Sequence, residues 1–306
     1  MELLTIIMSQ SSKDTATLLL NELYAGLSRL HKDGRTIELM CDRFEQFSQI
    51  TICGKRASQL RLPSEALSRA IGDVLADYIL EHEEMNLIRK IITREYQYDQ
   101  PEHIERIAGY CRQYLFAAGE NVTLEKQIKK QRKEKIAAQV ASYIKEYRKL
   151  HIDGFIAFRL QDYMEDLRES VEYAIDEFQM DQQYQEFISL LKYFVYIQEA
   201  KIPAAHLLHK GGNEFAILND RLVPISTDEI DGTFKLEVLD RNTNFEDVIV
   251  STLITVSPGY LFIHTSQPEL QVIQTIAQIF ENRVNICEGC HLCAVTSSGK
   301  KDQLSP

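Results

Sequence analysis

The apolar positions change period along the chain, and the changes divide it. Glu2–Met8, ELLTIIM, is a short run rich in Leu and Ile that predicts a strand. Ser11 can then cap a helix, with Asp14 as its capping-box partner. Leu19, Leu20, Leu23, Leu27 and Leu30 recur at helical spacing up to a stop at Gly34. Two more short strands fit TIELM (36–40) and FSQITICG (47–54). Residues 1–56 read as a small N-terminal β-α-β-β unit that contains Cys41 and Cys53.

Residues 57–200 repeat every three or four positions and predict a helical domain. Pro63 and Ser64 open a long helix with Leu67, Ile71, Val74, Leu75, Tyr78, Ile79, Met85, Ile88 and Ile92 on one face. After the YQYDQP break a second helix carries Cys111 among Ile107, Tyr110, Tyr114 and Leu115, the setting of a core thiol. A third carries Lys126, Lys129, Lys130 and Lys133 as one basic stripe, widened by Arg132 and Lys135, ahead of Ile136, Val140, Tyr143, Ile144 and Tyr147. Such a stripe reads first as a solvated face and second as a contact for an anionic partner. Asp153 can cap a helix with Ile156, Leu160, Met164, Leu167, Val171, Ala174 and Phe178 inward and a solvated acidic side. Asp181 can cap the next, with Tyr184, Phe187, Ile188, Leu191, Phe194 and Val195 inward, and the break at Met180-Asp181 predicts an antiparallel pair.

Beyond residue 200 short β-type runs return. AAHLLHKGGNEFAILND predicts a hairpin turning at Gly211-Gly212, and TFKLEVLD (233–240) a half-buried strand. NFEDVIVSTLITVSPG reads as a helix between Asn244 and Pro258 despite its β-branched content. YLFIHT reads as a strand, PELQVIQTIAQIF as a helix and RVNIC as a last strand. Residues 201–293 form a small C-terminal α+β domain, and 294–306 a polar tail expected to be disordered. The whole is an α+β protein with a predominantly helical middle.

A net charge of -11 argues against a dedicated nucleic-acid binder, which must neutralise phosphates. The start lacks the basic n-region and long apolar run of a signal peptide, and no apolar run has the length that spans a bilayer. The chain reads as cytoplasmic and soluble. Its six cysteines are then expected to be reduced, so that a dense group of them points to metal or redox chemistry.

Such a group lies in NICEGCHLC, residues 285–293. Cys287, Cys290 and Cys293 have C-x-x-C-x-x-C spacing, and Gly289 eases the turn that lets their sulfurs converge on one ion. Zinc and iron–sulfur clusters both call for a fourth ligand. His291 is a candidate, though adjacent to Cys290; a distant cysteine, another subunit or solvent are others. CEGCH also matches the haem-attachment pattern, but that chemistry needs export. A reversible disulfide is a further alternative, without the following helix that activates a thioredoxin-like thiol. His206 and His209 flank strand leucines and His264 ends a strand, so each reads as a surface or strand-end histidine before a ligand; His206 and His209 could supply the missing ligand, but nothing in the sequence brings them near Cys287. Phosphate-loop, dinucleotide, nucleophile-elbow and H-E-x-x-H motifs are absent.

GFIAFRLQDY, VEYAIDEFQMDQQYQEFISLLKYFVYIQ, STLITVSP and CEGCHLC, in that order, resemble the YtxC-like family of sporulation proteins of spore-forming Gram-positive bacteria, over roughly residues 100–293. The resemblance implies a link to sporulation and supplies no catalytic residues. The family ending, Cys-x-Gly-Cys-x-Leu-Cys, falls here on Cys287, Gly289, Cys290, Leu292 and Cys293, with His291 at a variable place. The expectation is a cytosolic, non-enzymatic protein acting through protein contacts, with a structural metal at the cysteine cluster. The alternative is a zinc-, iron–sulfur- or redox-dependent protein using the same thiols.

Overall fold

A computed structural model describes residues 2–9, 13–28, 37–54, 64–116, 122–212, 214–225, 245–287, 289–290 and 293. Ser11, Leu30, Gly34, Pro63, the 233–240 strand, Asn244, His291 and the 294–306 tail lie outside them. The fold is α+β with a helical middle and two small mixed sheets. It divides into two compact units, Met1–Met180 and Asp181–Pro306.

The first unit holds β1 (Glu2–Ser9), β2 (Ile37–Arg43), β3 (Phe47–Gly54) and β4 (Lys149–His151), in the order β2-β3-β1-β4. The antiparallel register sets Leu4 against Ile52 and Ile6 against Ile50, all four fully buried. Helix α1 (Lys13–Leu27) adds Leu19, Leu23 and Leu27 to the same core. Strand β4, unforeseen in the sequence, pairs parallel to β1 and brings the chain straight into α6 (Ile152–Arg159). His151 therefore occupies the N-cap position expected of Asp153, and the Asp153 carboxylate instead accepts the Ser9 backbone N–H at 3.1 Å.

Ser64 caps α2 (Glu65–Tyr78) by accepting the Leu67 N–H at 3.4 Å. The expected long helix continues, but as a π-turn at Ile79–Glu83 followed by α3 (Glu84–Arg94). The extra residue in that turn is supported locally: Tyr78 donates its hydroxyl to Glu83 at 3.0 Å, and the Asn86 amide donates to the His82 carbonyl at 3.1 Å. Helix α4 (Pro101–Phe116) carries Cys111 into the core, where burial pushes the thiol up to about 12. Cys111 is the core thiol its neighbours suggest.

Helix α5 (Val122–Glu146) runs antiparallel along α2 and α3. Gly72 permits the close approach, since a Cβ there would sit 2.5 Å from the Ala137 carbonyl oxygen. Half of the basic stripe, Lys129, Arg132 and Lys133, enters this packing, while Lys126, Lys130 and Lys135 stay exposed. Lys133 meets Asp77 at 2.7 Å, Lys129 meets Glu81 at 3.1 Å, and Arg132 pairs with buried Glu84, which also accepts the Tyr163 hydroxyl at 2.9 Å.

Helix α7 (Gln161–Ile197) is continuous through Met180-Asp181, so the expected antiparallel pair is one helix. No Gly or Pro interrupts residues 179–183, and Met and Gln are good helix formers. Leu167, Val171, Ala174 and Phe178 enter the first unit's core; Ile188 and Val195, with half-buried Leu191, enter the second's. The inward stripe in the second half is narrower than its composition suggests: Tyr184, Phe187 and Phe194 are exposed.

The second unit's sheet has the order β6-β5-β7-β8, from β5 (Ile202–Gly211), β6 (Glu214–Asn219), β7 (Pro258–His264) and β8 (Val284–Cys287). β5 and β6 form the predicted hairpin, with Gly211 and Gly212 at φ of 107° and 57°. β5, β7 and β8 are mutually parallel neighbours, connected through α8 (Phe245–Val256) and α9 (Gln271–Phe280). Leu253, Ile273 and Ile276 cover Ala205, Leu207, Leu261 and Ile263 in one core. Parallel order gathers the C-terminal ends of β5, β7 and β8 on one edge, the edge where ligands bind in parallel sheets.

Candidate metal centre

At that edge the β7–β8 register pairs His264 with Cys287, the last residue of each strand. The chain then turns at Gly289, whose φ of 148° favours glycine, and delivers Cys290 and Cys293 beside them. His264 Nδ1 lies 3.4 Å from the Cys290 sulfur and 3.6 Å from that of Cys293. The Cys293 sulfur is 3.9 Å from Cys290 and 3.8 Å from Cys287. All four donor atoms lie within 4.8 Å of one another.

These distances have a simple meaning. A tetrahedral zinc ion, with Zn–S of about 2.3 Å and Zn–N of about 2.0–2.1 Å, sets its ligands about 3.8 Å apart for two sulfurs and about 3.6 Å for sulfur and nitrogen. The four contacts reproduce those edges. A polynuclear iron–sulfur cluster binds each thiolate to a separate iron or pairs them on two, which spreads the sulfurs farther. A disulfide would bring two sulfurs to about 2.05 Å and leave the third out.

The surroundings are consistent with a bound cation. The Gly289 N–H pulls the Cys287 thiol down, but burial and the sulfurs of Cys290 and Cys293 push it the other way and prevail. A cation bound beside the Cys287 sulfur would offset that upward push. His264 is buried, and burial, then His206, hold its ring below the ordinary range, so it is neutral and fit to ligate.

The three thiols singled out in the sequence are thus brought together; His291 lies outside the described residues. His264, read from sequence as a strand-end histidine, is both that and the fourth member of the group. One sign of it was legible: two strands ending in ligand-type residues. His206 reaches the group through His264, its Nδ1 being 3.0 Å from His264 Nε2. His209 does not: it binds the Thr265 hydroxyl at 2.9 Å and the Gly212 carbonyl at 3.1 Å, tying the hairpin to the end of β7.

Residues 69–285 match the YtxC-like family, well over half of the chain. The chain belongs to the YtxC-like family. It is also 26% identical over 224 residues to the uncharacterized protein YtxC of Bacillus subtilis (strain 168), an alignment covering 73% of this chain and 78% of that protein. No solved structure matches. The matched YtxC-like region includes His206 and His264 and ends two residues before Cys287. Among the described residues of this family member, no helix is long and apolar enough to cross a membrane.

Proposed function

We propose that this protein is a cytosolic, non-enzymatic member of its family whose C-terminal unit is fastened by one structural metal ion, zinc by its donor set, and which acts through protein contacts in the sporulation programme. The convergence of His264 with Cys287, Cys290 and Cys293 carries the metal reading. Four protein ligands complete a tetrahedral shell and leave no open position for substrate, which distinguishes structural from catalytic zinc. Protein purified without an affinity metal is expected to contain about one zinc per chain, lost in Cys290→Ala. Metal-free wild-type protein, or several irons with a visible charge-transfer band, would overturn the single-ion reading.

The contact reading draws on the second half of α7. Phe187, Leu190, Tyr193, Tyr196 and Ile197 are all more than half exposed, Tyr196 at 81%. Such apolar side chains grouped on one helix mark interaction surfaces. A photocrosslinking residue in place of Tyr196 is expected to trap a discrete protein adduct in cells, abolished by adding Leu190→Glu. Absence of any adduct at position 196 would count decisively against this surface.

A further inference from the structure

Building on the metal reading above, we infer that His206 is a positioning residue of the centre: it accepts the Nε2–H of His264 and so holds the Nδ1 lone pair of that ring on the ion. His206 Nδ1 and His264 Nε2 are 3.0 Å apart, and in such a contact one nitrogen donates and the other accepts. His264 aims Nδ1 at Cys290 and Cys293, and a ligating nitrogen carries no proton. The neutral His264 ring therefore bears its proton on Nε2, facing His206. The acceptor is His206 Nδ1, and the His206 proton sits on its own Nε2.

The acceptor is built into the sheet. His206 stands on β5, opposite Phe262 in the parallel register, and its ring stacks on Phe262 with centroids 5.1 Å apart. His209, three residues on, cannot replace it. The Gly212 carbonyl only accepts, so His209 Nε2 carries the proton and its Nδ1 is taken by the Thr265 hydroxyl. A neutral imidazole also suits the charge. Three thiolates on a divalent ion already leave a net negative centre, and the carboxylate that often supports a ligating histidine would deepen it.

The test is the zinc affinity of the full chain, by competition with a chromophoric chelator. His206→Phe keeps an aromatic ring in the stack and removes the acceptor; His206→Gln returns an acceptor. Loss of such a partner typically weakens metal binding about 10–100-fold, the effect expected for His206→Phe, with most of it recovered in His206→Gln. The metal-free melting temperature of His206→Phe should match that of metal-free wild type. Affinity within twofold of wild type in His206→Phe, while Cys290→Ala loses zinc, overturns this inference and leaves the metal reading standing. Equal destabilisation of the metal-free form, without recovery in His206→Gln, assigns His206 to packing and also overturns it. Wild-type protein that takes up no zinc overturns both.

Discussion

Chelation is expected to lower the melting temperature of the 181–306 unit by roughly 10–15 °C, the equivalent of about 4 kcal/mol for an ion present at a thousand times its dissociation constant. Cys290→Ala should reproduce the loss, and chelator should then have no further effect. The physical basis is the poverty of other attachments for this segment. Among the described residues, β8 has four residues, pairs with β7 alone and buries none of them fully. Beyond it, the described residues Cys290 and Cys293 are half-buried and their sulfurs face the site. Of this segment, half-buried Val284 alone is packed against the sheet's core of Leu207, Leu261, Ile263 and Ile276 among the described residues, so the unit should loosen locally and not unfold outright. Hydrogen exchange can localise the effect, with protection lost first at Val284–Cys287. Melting and exchange that ignore both chelator and Cys290→Ala would sink the structural-metal reading.

Arg132→Met is expected to destabilise the first unit by about 3–5 kcal/mol in denaturant titration, the usual consequence of stranding a buried charge. The Glu84 side chain is 2% exposed and that of Arg132 13%, so little water can replace the lost guanidinium. Tyr163 would remain as a hydrogen-bond donor to the carboxylate, and burial together with Glu84 holds its phenol well above the ordinary range. Neutralising the other partner should rescue the loss: Glu84→Gln with Arg132→Met is expected to recover most of it. Lys133→Ala supplies the contrast. Its pair with Asp77 is more than a third exposed on both sides, and such pairs contribute at most about 1 kcal/mol. An Arg132→Met cost no greater than that of Lys133→Ala would remove the buried pair from any structural role.

Much of this architecture was legible because the periods are strong. Leu19, Leu23 and Leu27, the Gly211-Gly212 turn, and Ile273 with Ile276 announce their elements through spacing and turn chemistry alone. The failures have specific causes. Lys149–His151 is too short to show a strand period, and it exists only because β1 offers a free edge. Nothing local marks the π-turn at Ile79–Glu83, where one inserted residue is absorbed inside an otherwise regular apolar pattern. Asp181 is a good cap in isolation, yet a cap requires a break, and no residue near it makes one. The three thiols were visible as a spacing. For His264 the sequence showed only that it ends a strand; its partnership with Cys287 depends on two strands lying side by side in parallel register, a pairing between positions 23 residues apart that periodicity does not encode.

The shortness of β8 has one more consequence. Among the described residues it is the outer strand of its sheet, and behind it the backbone of β7, which includes buried Leu261 and Ile263, is a row of hydrogen-bonding groups able to pair with another chain. Among the described residues, four residues and a knot of donor atoms shield that row. On the single-ion reading the cysteine cluster would cover an aggregation-prone edge as well as fasten the fold, and metal starvation is expected to be felt first as insolubility.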